Sequence, residues 1–206
     1  LSLISSFGNL RNLNISFTGV FDLEPISELG LLEILNFGST KVTSLSAISN
    51  LKYLRWLDLS SNHIDNIDDI SNLFNLQSLV IRNLDIDNIE SISELSNIIT
   101  FDLSRTFVSD LTPIASNQNI KRLYFNHTEA KNISCLIGLI YLTSISCSNS
   151  LIIDMSPVDT LFNLEILDAS GLHNTLLWPM EFPASLFQLN LLNSAWPSGR
   201  LLPSVP

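Results

Sequence analysis

The chain has 206 residues, of which 46% are hydrophobic and 15% are charged. This composition excludes an intrinsically disordered chain, which needs low hydrophobicity and high charge. The 20 acidic and 10 basic side chains give a formal net charge of −10, which repels phosphate backbones, so we expect no nucleic acid partner. The longest apolar run is the segment from Cys135 to Leu142, far shorter than the roughly 20 residues of a membrane-spanning helix. We therefore expect no membrane span.

A period of 22 residues organises the whole chain. Residues 51–72 read LKYLRWLDLSSNHIDNIDDISN and residues 73–94 read LFNLQSLVIRNLDIDNIESISE, and the two segments align without a gap. Nine such units fill residues 7–204, of which the last two are degenerate, and residues 1–6 match the end of a preceding unit. Repeats of this kind bury a shared core only when they are stacked. Residues 1–206 are therefore predicted to form a single repeat domain that opens within a unit.

The apolar pattern inside a unit predicts one strand and one short turn. Counted from the first residue of each unit, apolar side chains occupy positions 1, 4, 7, 9, 14, 17 and 20 in most copies. Positions 7 and 9 alternate with polar neighbours, as in Leu57-Asp58-Leu59, which predicts a strand centred on 57–59 with one buried face. All strands run in the same sense, so they are predicted to pair in parallel. Ile64, Ile67 and Ile70 are spaced by three, which favours a 3-10 turn over a longer helix.

Position 12 carries threonine, serine or asparagine in most units. A buried hydroxyl group without a hydrogen bond costs roughly 1–3 kcal/mol. We therefore expect these side chains to bond backbone groups and to form a ladder between adjacent units. Thr106 and Thr128 are predicted to be buried and bonded in this way, whereas Leu84 and Leu172 interrupt the ladder.

The pattern LxxLxLxxN/T followed by xIxxIxxI, repeated over essentially the whole chain, resembles that of the leucine-rich repeat family. The unit length and tails such as Leu23-Glu24-Pro25-Ile26 are similar to its short class, which is known from a regulatory subunit of type-one protein phosphatase and from the internalin adhesins. The resemblance implies an α/β fold, a right-handed horseshoe solenoid with a parallel concave sheet and short 3-10 turns on the convex side. It says little about function, because the family is defined by its architecture and binds many unrelated partners.

The sequence contains no strong motif for catalysis or for a cofactor. Cys-x-x-Cys, His-x-x-x-His and glycine-rich phosphate motifs are absent. His63 and His173 lie five units apart, on the order of 24 Å, so they cannot share a metal ion. Asp102, Ser104 and His127 can be imagined as a catalytic triad, but an open strand face offers no oxyanion pocket. We therefore predict that the protein is not an enzyme and has no cofactor, no metal ion and no small-molecule substrate.

Two cysteines cannot form a disulfide framework. Cys147 occupies a core strand position and Cys135 lies on the opposite wall, so both are predicted to be free thiols. Free thiols favour an intracellular compartment, although an extracellular or cell-surface location stays open. Glycosylation sequons occur at Asn14, Asn126 and Asn132, and the sequence does not decide whether they are used.

Acidic side chains follow the turns of the units. They are explained either as a solvated edge that keeps a repetitive protein soluble or as a docking strip for a basic partner. These residues are Asp65, Asp68, Asp69, Asp85, Asp87, Glu90, Glu94 and Asp110.

The outward strand positions 6, 8 and 10, with positions 11 and 13 at the rim, are predicted to form one continuous surface. Aromatic and arginine side chains, which dominate interface hot spots, cluster on this surface in units three to six. Their coverage of neighbouring units is an alternative explanation for the aromatic residues. The predicted partner-binding residues are Trp56, Asp58, Arg82, Asp102, Arg105, Phe107, Arg122, Tyr124 and His127.

These observations together predict a non-catalytic scaffold that binds another protein on its concave face. The arginines of an otherwise acidic chain favour a partner that offers carboxylates beside an apolar anchor. Two other hypotheses stay open. One is a structural spacer or assembly module in a larger complex, and the other is an adhesin or receptor ectodomain.

Overall fold

The computed structural model describes residues 3–197. Nine strands of three residues form one sheet in which strand order follows chain order and every neighbouring pair is parallel. Leu57 pairs with Leu79, which is the same position of the next unit. This register confirms the predicted parallel solenoid with one strand per unit. The strands are β1 (Asn12–Asn14), β2 (Ile34–Asn36), β3 (Trp56–Asp58), β4 (Ser78–Val80), β5 (Thr100–Asp102), β6 (Arg122–Tyr124), β7 (Ser144–Ser146), β8 (Ile166–Asp168) and β9 (Gln188–Asn190).

Each strand covers positions 6 to 8 of its unit, one residue earlier than predicted. The backbone bonds between units nevertheless continue beyond the strand. The Leu59 N–H donates to the carbonyl oxygen of Val80 at 3.1 Å, and the Ser61 N–H donates to the carbonyl oxygen of Arg82 at 2.8 Å. The φ angle of Ser61 is +55°, which takes the backbone out of the strand conformation. The expected centre was therefore wrong by one residue, because position 11 ends the regular pairing early.

Short 3-10 turns lie at positions 18 to 20, as the spacing of three predicted. Most of them follow an asparagine or aspartate at position 16, whose side-chain oxygen accepts the N–H of position 18. In unit four, for example, the Asn88 side-chain oxygen accepts the N–H of Glu90 at 2.7 Å. This local bond replaces a backbone partner at the start of the turn. The turns are Ile4–Ser6, Glu24–Ile26, Ser46–Ile48, Asp68–Ile70, Glu90–Glu94, Thr112–Ser116, Ser134–Leu136 and Ser156–Thr160.

Unit eight keeps its strand but has no 3-10 turn within the described residues. Leu177 and Met180, at positions 17 and 20, are 57% and 85% exposed instead of buried. Trp178 enters the core in their place, and its indole N–H donates to the carbonyl oxygen of Ala195 at 3.1 Å. The Trp196 ring packs edge-on against Trp178, with ring centroids 5.1 Å apart. An aromatic cluster therefore replaces the regular apolar columns at this end of the described chain.

One continuous hydrophobic core runs from Leu13 to Leu186. The strand positions 7 and 9 and the turn positions 14, 17 and 20 supply it, and Leu57, Leu59 and Ile70 are fully buried. This arrangement leaves the opposite face of the sheet, the open face, with no element of the described chain above it. The open face carries the side chains of positions 6 and 8.

The position-12 prediction is confirmed for burial and bonding but is wrong about the ladder. Thr106 and Thr128 are each 3% exposed, and their hydroxyl groups donate to the carbonyl oxygens of Leu103 and Phe125. Both bonds stay within one unit, three residues apart. Thr40 differs, because its hydroxyl also donates to the side-chain oxygen of Asn62 in the next unit. Asn62 has the longer amide and does bridge units, as the Discussion describes.

A ladder between units exists at position 3 instead. The side-chain amide of Asn75 donates to the carbonyl oxygen of Lys52 in the preceding unit at 2.7 Å. Asn97 and Asn163 make the same bond to the carbonyl oxygens of Phe74 and Ile140, each in the preceding unit. The accepting carbonyl groups lie in the segment between a 3-10 turn and the following strand. The bonds satisfy these groups and fix the stacking of successive units.

Candidate protein-binding site

The open face has a depression of about 440 Å³ beside the C-terminal ends of β4 to β7. Five of the nine predicted partner-binding residues line it. The lining residues are Arg82, Asp102, Ser104, Arg105, Tyr124, Asn126, His127 and Ser148.

A recurrent turn at the end of each strand shapes this region. In most units an asparagine or aspartate at position 8 accepts the N–H of position 10, which forms a tight polar loop. The Asp102 Oδ1 atom accepts the Ser104 N–H at 3.0 Å, and Asp58 makes the same bond to Ser60. Asp58 and Asp102 are therefore half-buried and bonded to their own backbone, a structural role that the sequence analysis did not assign to them.

Tyr124 and Ser146 break this pattern in units six and seven, and the neighbouring unit supplies the missing acceptor. The Asn126 N–H donates to Ser104 Oγ at 3.2 Å, and the Ser148 N–H donates to Asn126 Oδ1 at 2.7 Å. In unit six the side chain at position 8 is therefore not needed as an acceptor for the turn. An aromatic ring can stand there, and the depression opens beside it.

Arg105 and His127 reach the depression from position 11, where every unit turns with a positive φ. The φ angles are +60° at Arg105 and +54° at His127. A left-handed conformation costs an L-residue with a side chain roughly 1–2 kcal/mol. The backbone bonds of the two residues to Asn126 and Ser148 in the next unit hold it in place, and both side chains are exposed at the rim.

Positive charge dominates the depression of this acidic protein. Arg82 and Arg105 face a single carboxylate, and the Arg82 side chain is 56% exposed. Burial raises the pKa of Asp102 above its usual range, against the opposing effect of its bonds to Ser104 and of the nearby Arg82 charge. The site is therefore suited to an anionic group on a partner.

The other predicted site residues lie outside the depression. Trp56 and Asp58 belong to β3, and Phe107 is 55% exposed on the far rim. Arg122 is exposed beside the depression, and its Nε atom donates to Thr100 Oγ1 at 3.1 Å. Trp56 and Tyr124 are half-buried, although their outward strand positions predicted exposed side chains.

Sequence reasoning missed Ser104, Asn126 and Ser148 as lining residues. The recurring Asp-x-Ser pattern at positions 8 and 10 was the available signal for Ser104. Asn126 also bears on glycosylation, because its amide nitrogen donates to Ser104 Oγ and its oxygen accepts from Ser148. This sequon side chain is half-buried and engaged, whereas Asn14 is exposed.

The imagined triad does not assemble. Ser104 Oγ accepts the Asn126 N–H, and within residues 3–197 no hydrogen bond joins His127 to Ser104 or Asp102. No group of three or more potential metal-binding side chains occurs in the part of the chain that the structure describes.

The two cysteines are free, as predicted. Burial raises the pKa of the Cys135 thiol to about 11 and raises that of Cys147 even further. Both thiols are therefore protonated and poorly nucleophilic at neutral pH. Among the described residues, no helix is long and apolar enough to cross a membrane.

Neither a protein-family model nor a curated protein matches the sequence, but many solved structures share the fold. An internalin (inlF) from Listeria monocytogenes has a TM-score of 0.73 and 21% identity, covering 93% of this chain and 69% of that one. A leucine-rich repeat protein of Leptospira interrogans has a TM-score of 0.79 and 22% identity, covering 94% and 58%. The plant peptide hormone receptor RGFR1, solved in complex with RGF2, has a TM-score of 0.72 and 20% identity, covering 90% and 32%.

The parallel sheet of nine strands in residues 3–197, the 3-10 turns and these similarities give the chain the leucine-rich repeat fold, as the resemblance predicted. The chain spans about 58% of the Leptospira protein and 32% of the receptor.

Proposed function

We propose that the protein is a non-catalytic interaction scaffold that binds a partner protein at the depression of its open, concave face. The observation that carries this proposal is the lining of the depression, where arginine, tyrosine and histidine side chains from three successive units meet. Arginine and tyrosine are enriched in interface hot spots, since they combine large contact area with hydrogen bonding. A small neutral ligand would gain little from such a shallow, polar surface.

The charges of the site indicate the chemistry of the partner. Arg82, Arg105 and the neighbouring Arg122 place three positive charges on one face of a chain whose net charge is −10. We expect an extended acidic segment, whose carboxylates pair with these guanidinium groups. Trp56 lies in the same row of the sheet as Arg122, three strands away, on the order of 15 Å at the strand spacing. An apolar side chain of the same segment can reach it.

Affinity capture with matched variants tests the proposal. The double variant Arg82→Glu, Arg105→Glu reverses the charge of the depression, and Arg55→Glu is the control because Arg55 is exposed at position 5, outside the depression. We expect captured proteins to include one whose recovery is lost with the double variant and kept with the control. Its affinity, measured by calorimetry, should fall by at least about 30-fold, equivalent to about 2 kcal/mol. Equal capture by the three proteins would contradict concave binding and would favour an assembly module that uses its convex wall or ends.

A further inference from the structure

A second depression, of about 560 Å³, lies near the C-terminal end of the described chain, away from the open-face site. Its lining combines apolar side chains with two carboxylates. The lining residues are Asp159, Phe162, Met180, Glu181, Phe182, Pro183 and Ala184.

The two carboxylates depart from the pattern of the repeat. Asp159 and Glu181 both occupy position 21, in successive units, whereas units one to four have serine there. The Asp159 side chain bonds the backbone of Met180, the residue before Glu181, so the two carboxylates lie close together. Like charges at short separation repel each other. The pattern of the repeat does not require a carboxylate at position 21.

No basic side chain of the described region compensates these charges. Residues 132–197 contain five acidic residues and neither lysine nor arginine. The Asp159 Oδ2 atom accepts the Met180 N–H at 3.3 Å, but the Oδ1 atom is buried and has no hydrogen-bond partner. A buried carboxylate oxygen without a donor is costly, and a positive charge close to this carboxylate would offset part of the cost.

An exposed aromatic side chain lies next to the carboxylates. Phe162, at position 2 of unit eight, is 75% exposed. Phe182 lines the same depression and stacks on Trp196, with ring centroids 6.0 Å apart, so the apolar floor is fixed by the aromatic cluster beneath it. An apolar floor beside uncompensated carboxylates suits a ligand that is both apolar and cationic.

We propose that this depression docks a short segment of a partner protein in which lysine or arginine stands beside a bulky apolar residue. The cationic group pairs with the exposed Glu181 carboxylate beside Asp159, while the apolar side chain packs on Phe162 and Phe182. This site differs from the open-face depression in place and in charge. One chain can therefore bind an acidic segment and a basic segment at the same time.

The test uses the full chain and a fluorescein-labelled peptide, Ala-Lys-Leu-Arg-Leu-Lys-Ala, in fluorescence anisotropy at about 0.15 M salt. Two companion peptides separate the chemistry, one with glutamine in place of every base and one with serine in place of every leucine. We expect the first peptide to bind and both companions to bind at least about tenfold more weakly. Equal binding of the serine peptide would overturn the proposal, because charge alone would then explain the interaction.

Matched variants locate the binding. The double variant Asp159→Asn, Glu181→Gln and the variant Phe162→Ser should each lower the affinity for the peptide at least about tenfold. The controls are Asp65→Asn, Asp69→Asn, which removes two exposed turn charges, and Phe74→Ser, which changes the equivalent position 2 of unit four. Asparagine at 159 keeps an acceptor for the Met180 N–H, and circular dichroism checks that each variant is folded.

Two further results would also overturn the proposal. In the first, the control variants lose as much affinity as the site variants, which would assign the binding to the general acidic charge of the chain. In the second, the peptide binds only to the variant Arg200→Ala, which would make the terminal part of this chain, rather than a partner, the occupant.

Discussion

Arg82 Nε lies 3.7 Å from Asp102 Oδ2, joining unit four to unit five at the edge of the open-face depression. The contact is long, and the guanidinium group is more than half exposed, so it adds little to stability. Under the proposed function its importance would concern binding, because Asp102 would compete with the carboxylate of an acidic partner for the same arginine.

The Asp102→Asn variant should be at least as stable as the wild-type protein at pH 7. Burial raises the pKa of Asp102 in the folded state, so the ionised carboxylate weakens the fold at pH values above its pKa. The variant removes this penalty and keeps an oxygen for the Ser104 N–H. Its advantage should shrink as the pH falls toward 3, where the carboxyl group is protonated in both states. Urea unfolding at several pH values measures the difference, and a loss of more than about 1 kcal/mol at pH 7 would show that the charge stabilises the fold.

Asn62→Ala should cost more than the loss of any position-12 threonine. The Asn62 amide donates to the carbonyl oxygens of Leu59 and of Phe37 in the preceding unit, both at 3.0 Å. Its side-chain oxygen accepts from Thr40. Losing these bonds in a buried place should cost at least about 2 kcal/mol. Asn62→Thr should recover part of the loss, since a hydroxyl can still reach Leu59. An Asn62→Thr variant as stable as the wild-type protein would refute the importance of the bridge to Phe37.

Thr106→Val should lower the free energy of unfolding by about 1–3 kcal/mol. The substitution keeps the shape but removes the hydroxyl that donates to the Leu103 carbonyl oxygen at 2.8 Å in a buried environment. Thr18→Val is the control, because Thr18 makes the equivalent bond at an exposed position, where water replaces the hydroxyl. Denaturation midpoints that shift equally in the two variants would contradict the role of burial.

Phe17→Asn should stabilise the protein by about 0.5–1 kcal/mol. Phe17 has a φ angle of +56° and is 86% exposed. Asparagine adopts the left-handed conformation at lower cost, and little packing is lost. Phe21→Asn is the matched control, because Phe21 is also exposed but does not have a positive φ. Thermal unfolding of both variants checks the prediction, which fails if Phe21→Asn gives the same gain.

The architecture could be predicted from sequence because each apolar column recurs in register in most of the nine units. Leu57 and its equivalents are apolar because each enters the core from its strand, so every copy adds evidence for the same strand position. Position 12 was harder, since a polar residue in a core column indicates a bond but not its partner. The reach of the side chain and the identity of its neighbour decide that. The Asn62 amide reaches the Phe37 carbonyl oxygen, and the Thr40 hydroxyl bonds the next unit only because Asn62 is there.

The candidate site was predictable in part, for a similar reason. Arg82, Arg105 and Tyr124 depart from the consensus of their columns, and such departures indicate a role outside the fold. The half-burial of Trp56 depends on how neighbouring side chains pack, which an alignment of the repeats does not show. The acidic pair of Asp159 and Glu181 also escaped notice, because it lies on a turn whose apolar neighbours belong to different units.

Hydrogen exchange of the protein with its captured partner tests the central claim most directly. If the partner binds the open-face depression, the backbone amides of residues 102–107 and 124–128 should gain protection, because these segments carry its lining side chains. The 3-10 turns on the opposite side should exchange as they do in the free protein. Protection confined to those turns, with residues 102–107 unchanged, would contradict a concave binding site.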